Sequence, residues 1–131
     1  MIDIQDVIRV HDVLIDKFGG SKGIRDFGLL ESAISRPFQT FDQQDLYSNP
    51  VDKAAALIES ILINHPFVDG NKRIGYVLMR LLLMEFEFDL AATEEEKYDF
   101  VIKIAEGKYH HAEIVDWLID KIKNSSYPQT V

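Results

Sequence analysis

Residues 72–86 read Lys72-Arg73-Ile74-Gly75-Tyr76-Val77-Leu78-Met79-Arg80-Leu81-Leu82-Leu83-Met84-Glu85-Phe86. A helix drawn through this stretch is apolar on nearly every side, and a helix that is hydrophobic all round is one its neighbours bury. It is therefore expected to run from about Lys72 to Phe86 as the centre of the fold. It is too short for a bilayer: Ile74 to Met84 contains Arg80 and spans eleven residues, where a crossing needs about 20.

Working outward, the flanking segments also show helical period. Ile4, Val7, Ile8, His11, Leu14, Ile15 and Phe18 recur at steps of three and four, which predicts a helix from about Ile4 to Phe18, stopped by Gly19-Gly20. A short helix follows, with Asp26 as N-cap, Leu29, Leu30, Ala33 and Ile34 facing inward, and Pro37 at its end. Pro50 suits the first turn of a third helix, which carries Ala54, Ala55, Ile58, Ile61 and Leu62 and breaks at His65-Pro66. Thr93-Glu94-Glu95-Glu96 is a capping box that starts a fifth helix, running to about Glu106 before Gly107. The last helix spans about His111 to Ile122.

Residues 38–49 fit no helical period. Phe38 to Asp42 reads as a short extended arm, with Leu46-Tyr47 as its return. The expected class is all-α: about six helices around a buried central one, with a short flap that could be a β-hairpin. Residues 1–123 are expected to form one domain, and the polar residues 124–131 a flexible tail.

The chain has 131 residues, of which 47% are hydrophobic and 27% charged, which excludes a disordered or collagen-like polymer. There is no cysteine, so disulfides and thiolate metal sites are excluded. With 14 Lys+Arg against 22 Asp+Glu, net −8, and no run of three basic residues, nucleic acid is not expected as a direct partner. Met1-Ile2-Asp3-Ile4-Gln5-Asp6 carries no positive leader. No membrane association and a cytoplasmic setting are expected.

The chemistry is concentrated just before the apolar helix, in His65-Pro66-Phe67-Val68-Asp69-Gly70-Asn71-Lys72-Arg73. A helix N-terminus has unpaired N–H groups and a partial positive charge, so it favours anions. Stability alone would place Asp or Glu there. Lys72 and Arg73 do the opposite, as if an anion had still to arrive. Gly70 permits a sharp turn and close approach to a ligand, and Asn71 can cap the helix or donate to an oxygen. Asp69 suits Mg²⁺, which binds through one or two carboxylates plus phosphate oxygens. His65 ordinarily titrates near neutrality and could take a proton from an attacking hydroxyl. Each residue alone has an ordinary use in a turn or cap. Together they point to phosphoryl or nucleotidyl transfer.

The same nine residues resemble the signature of the Fic/Doc family, which reads His-Pro-Phe-x-Asp/Glu-Gly-Asn-Gly-Arg in the adenylyl-transferring Fic branch. The death-on-curing (Doc) branch has Lys in place of the second Gly, and this chain has Lys72. Gly23-Ile24-Arg25-Asp26, Leu29-Leu30-Glu31-Ser32-Ala33 and Arg36-Pro37 also resemble the Doc N-terminal region. The resemblance spans about Val10 to Leu118. It implies a Fic-like fold, His65 as general base on a protein hydroxyl, Phe67 as loop anchor and Asp69 as the Mg²⁺ ligand. Gly70, Asn71 and Lys72 would shape the phosphate site, and Arg73 would bind phosphate in catalysis. The arm matches the family's flap in position, which makes Phe41 and Tyr47 candidate target contacts by strand addition.

Lys72 fills space that Gly would leave open. In the Doc branch this implies that ATP sits reversed, with its γ-phosphate facing the base. The expected activity is thus that of a Ser/Thr phosphotransferase using ATP and Mg²⁺. The alternatives are Fic-type AMP transfer and a helical binding module without catalysis. The family's in-chain inhibitory motif, Ser/Thr-x-x-x-Glu-Gly/Asn, is not matched: Glu106-Gly107 has Ile102 at the hydroxyl position. The resemblance then implies an antitoxin protein acting in trans, and elongation factor Tu as the modified target, blocking translation. Among the other residues, His110-His111 is read as solvated, His11 and Trp117 as core, Arg25-Asp26 as a cap with a local ion pair, and Arg80 as extra charge deeper in the site.

Overall fold

The structure, a computed structural model, describes residues 2–123. The tail expected at residues 124–131 lies outside them. The described residues form six helices: α1 (Ile4–Phe18), α2 (Phe27–Ser35), α3 (Pro50–Asn64), α4 (Asn71–Glu85), α5 (Glu94–Ala105) and α6 (His111–Lys123). A 3₁₀ turn, Arg36–Phe38, follows α2 and leads into a hairpin of β1 (Thr40–Phe41) and β2 (Gln44–Asp45). The class is all-α with a short flap, as expected. Among the described residues no helix is long and apolar enough to cross a membrane.

The helix ends follow the local chemistry. Asp3 caps α1 through Gln5 N, Asp26 caps α2 through Leu29 N, and Asn49 caps α3 through Asp52 N, with Pro50 inside the first turn. Thr93 and Glu96 close α5 with the reciprocal bonds of a capping box. The hairpin is antiparallel, pairing Thr40 with Asp45 and Phe41 with Gln44. Its two turn residues, Asp42 and Gln43, both have positive φ, 52° and 64°, as a two-residue hairpin turn requires.

The centre differs from expectation. The helix with protein on all sides is α3, not α4: every residue from Lys53 to Leu62 is buried. It packs against α2, α4, α6 and the 3₁₀ turn. Ala54, Ala55 and Ala56 are small enough to let these neighbours approach closely. The polar residues of α3 are matched, since Arg36 reaches Glu59 and Ser60 Oγ, each at 2.9 Å. α4 buries Ile74, Leu78, Met79, Leu82 and Leu83, but Leu81 and Met84 remain exposed beside a cleft. α3 and α4 touch at Gly75, where a Cβ would lie 2.5 Å from Leu62 Cδ1. This antiparallel pair sets the site, because the chain between them, residues 65–70, carries the motif.

Candidate active site

His65 is the C-cap of α3 and lies in the left-handed region, φ 48° and ψ 57°. A residue with a Cβ adopts that conformation at a cost of about 1–2 kcal/mol, so neighbours must hold it. A distant segment does so. The Pro66 carbonyl accepts from the amides of Arg25 (2.7 Å) and Asp26 (3.1 Å), and Val68 N donates to the Gly23 carbonyl at 3.0 Å. Ile24 and Phe67 form an antiparallel bridge between these bonds.

Phe67 is 1% exposed. Its ring stacks on His11 at 3.8 Å and 8°. His11 is equally buried, and its Nε2 lies 2.7 Å from the Asp69 carbonyl. A carbonyl can only accept, so Nε2 carries the proton. Asn71 closes the loop on itself: Oδ1 accepts from Phe67 N at 2.9 Å, and Nδ2 donates to Phe67 O at 3.0 Å. Its amide therefore shapes the site from behind instead of being offered to a ligand. Gly70 (φ 76°) is the N-cap of α4, and no side chain caps this helix. The backbone selects glycine at Gly70, and a Cβ there would stand 3.2 Å from Ile15 Cδ1, which would have to give way.

Asp69 Oδ2 accepts from Ser21 N (3.1 Å) and Oδ1 from Gly70 N (2.8 Å). These two amides, aided by the nearby charges of Arg73 and His11, hold its carboxyl below the ordinary carboxylate range. Each oxygen keeps a free lone pair. Gly20 makes room, since a Cβ there would come 2.7 Å from Asp69 Oδ2.

Lys72 and Arg73 are exposed, and among the described residues neither forms an ion pair with a carboxylate. The Arg73 guanidinium sits 4.8 Å from the centre of the Phe18 ring. His65, residues 68–71, Lys72 and Arg73 line one open cleft of about 280 Å³. The motif therefore converges: an exposed imidazole, an ionised carboxylate, an uncapped helix start and two free cations share one opening. Such a site can bind a polyanion and accept a proton beside it.

The flap residues have their own contacts. Lys53 Nζ donates to Pro37 O (3.4 Å), Asp45 Oδ2 (3.1 Å) and Tyr47 O (2.5 Å), which fastens the base of the hairpin to the first turns of α3. Tyr47 is part of that fastening: Arg36 Nε donates to its hydroxyl at 3.0 Å, and its ring lies 5.2 Å from that of His111. Phe41 is 75% exposed. Among the described residues no hydrogen bond or ion pair joins the hairpin to residues 65–73.

Two side readings change. Arg80, expected to add charge to the site, is held by Asp89 at 2.7 and 3.0 Å. His111, expected to be solvated, packs on Tyr47 and lies 3.5 Å from Asp52. Sequence reasoning missed Arg25, His11, Phe18 and the Gly20-Ser21 turn as parts of the site. The one local signal was an imidazole on the otherwise apolar stripe of α1.

A family model described as the Fic/DOC family matches residues 1–83. The chain is 36% identical over 121 residues to a protein named Toxin Doc from Mycolicibacterium smegmatis, covering 92% of this chain and 86% of that one. It is 27% identical over 117 residues to a Fido domain-containing protein of Dictyostelium discoideum, covering 86% and 82% respectively.

Proposed function

The chain belongs to the Fic/DOC family, and on that premise we propose that it is a Doc-like toxin that transfers the γ-phosphate of ATP to a serine or threonine hydroxyl of a protein. The observation that carries this reading is the pair of cations, Lys72 and Arg73, without an ion pair among the described residues, at a helix start with no side-chain cap beside an exposed histidine. The substrate hydroxyl oxygen attacks the γ-phosphorus, the bond to the β,γ-bridging oxygen breaks, and ADP leaves. His65 takes the hydroxyl proton. Arg73 and the α4 amides bind phosphate oxygens as their charge shifts in the transition state. Phe18 supports the Arg73 guanidinium from its ring face.

Asp69 fits Mg²⁺ as a single carboxylate ligand, because it is ionised and each oxygen has a lone pair to spare. No cluster of three or more His, Cys, Asp or Glu able to hold a metal occurs among the described residues, so the phosphates would complete the shell. The ion would supply charge neutralisation at those phosphates.

Lys72 supports phosphate over AMP transfer, as its side chain occupies the space a glycine would leave. The similarity to Toxin Doc supports an antitoxin partner acting in trans, and elongation factor Tu is the proposed target. Parallel reactions with γ-labelled and α-labelled ATP test the assignment. Label on the target from the γ-labelled stock alone is expected; label from the α-labelled stock alone makes the protein an adenylyltransferase. His65→Ala should lower transfer at least 100-fold, the scale of a lost general base, and relieve the growth arrest that expression is expected to cause. No label from either stock, with no rise in melting temperature on adding Mg·ATP, leaves a binding module.

A further inference from the structure

Nothing among the described residues grips the ring of His65. Among the described residues its imidazole has no hydrogen bond, ion pair or ring partner, so its direction is set through its backbone. That backbone ends a helix, where the last carbonyls lack partners and carry partial negative charge. Both of the final carbonyls are taken by one side chain: Arg25 Nε donates to the His65 carbonyl and Nη2 to the Asn64 carbonyl, each at 2.6 Å. The amide of the same residue holds the Pro66 carbonyl. Arg25 thus engages three consecutive carbonyls around a residue held at positive φ. Among the described residues it forms no ion pair with a carboxylate, so the local pairing with Asp26 read from the sequence is not formed.

We infer that Arg25 is the positioning residue of the transfer reaction: its guanidinium fork locks the His65 backbone in the left-handed conformation that presents the imidazole to the cleft. This rests on the reading of His65 as the base. A planar fork with two parallel N–H groups suits two adjacent carbonyls; a lysine ammonium can reach one of them but cannot span both with fixed geometry. A loose base costs rate more than substrate binding, because Lys72, Arg73 and the α4 amides that meet ATP do not touch Arg25.

Three measurements on the full chain test this. Arg25→Ala should lower kcat about 10- to 100-fold, the scale of a reacting group displaced by about 1 Å, with KM for ATP within about twofold of wild type. Arg25→Lys, keeping one of the two bonds, should recover part of that loss. The three-bond HN–Hα coupling of His65, which reports φ, should leave its wild-type value in Arg25→Ala while the couplings of α4 stay put. Should Arg25→Ala fail to fold, Arg25→Gln and Arg25→Lys are read in its place. Unchanged kcat, an unchanged His65 coupling, or a loss that falls equally on ATP affinity overturns the inference. If wild type transfers nothing from ATP, the proposed function fails, and the coupling still decides whether Arg25 holds His65.

Discussion

α5 begins with Thr93 and Glu96 exchanging hydrogen bonds with each other's backbone, and with Glu94, Glu95 and Glu96 across its first turn. α4 begins with Gly70, which has no side chain to offer, and then Lys72 and Arg73. The two helices are close in length and belong to the same bundle. One start is completed by its own chain: amides capped, dipole matched by carboxylates. The other has no side-chain cap, the wrong charge for its dipole in its first turn, and Asp69 just before it as the nearby carboxylate. The contrast separates a helix end completed by its own chain from one that, on the proposed function, gives up stability to receive an anion.

Making α4 resemble α5 should break the contrast, and with the largest effect. Lys72→Glu places a carboxylate in the first turn of α4. It should raise stability without ligand by about 0.5 kcal/mol, the usual size of a helix-dipole contribution. The same change should remove the Mg·ATP-dependent rise in melting temperature, which in wild type would be worth ~2.7 kcal/mol at ATP a hundredfold above its Kd. Paired melts with and without nucleotide measure both. If the variant keeps the shift, Lys72 is no part of the anion site.

Undoing the α5 cap should give a smaller effect of the other kind. Thr93→Ala should cost about 1 kcal/mol in denaturant unfolding and leave the transfer rate and nucleotide shift unchanged. A change in transfer would mean that the two helix starts are coupled.

The smallest effect sharpens the electrostatics of α5. The Glu96 side chain is paired with Lys121 and bonded to Thr93, which takes its carboxyl from an ordinary 4.5 down to about 2. A depressed carboxylate contributes stability above its unfolded value and loses it as pH falls through its folded value. The Glu96 contribution is therefore whole above about pH 4.5 and fades toward pH 2. Glu96→Gln should flatten that part of the acid limb of a melting-temperature profile, while Asp69 and Asp89, both depressed, keep theirs. An identical acid limb would show that the Lys121 pair contributes nothing.

Much of this was legible in the chain because it is local. The α1 span, the caps at Asp26 and Thr93, and Pro50 inside the first turn of α3 depend on residues within four positions of one another. The nine-residue motif was legible for the same reason, since a loop and the helix start after it form one continuous stretch. Arg25 and His11 were not: their bonds run to His65 and Asp69, 40 and 58 residues away. Tyr47 read as a candidate target contact because the arm matches the family's flap in position. Its hydroxyl bond to Arg36 across the base of the flap became visible only in the fold.

From its amino acids alone the protein is committed to the helices described, a flap between the second and third, and a cationic start to α4, because period, capping and charge act over one or two turns. Which helix lies at the centre was decided by packing. α3 and α4 carry equal numbers of hydrophobic residues, yet α3 is the enclosed one, as its alanines admit close neighbours and Arg36 satisfies its buried Glu59. The pose of His65 was decided in the same way. A left-handed residue with a free imidazole is held there by hydrogen bonds from a segment 40 residues earlier, and only the folded chain brings the two together.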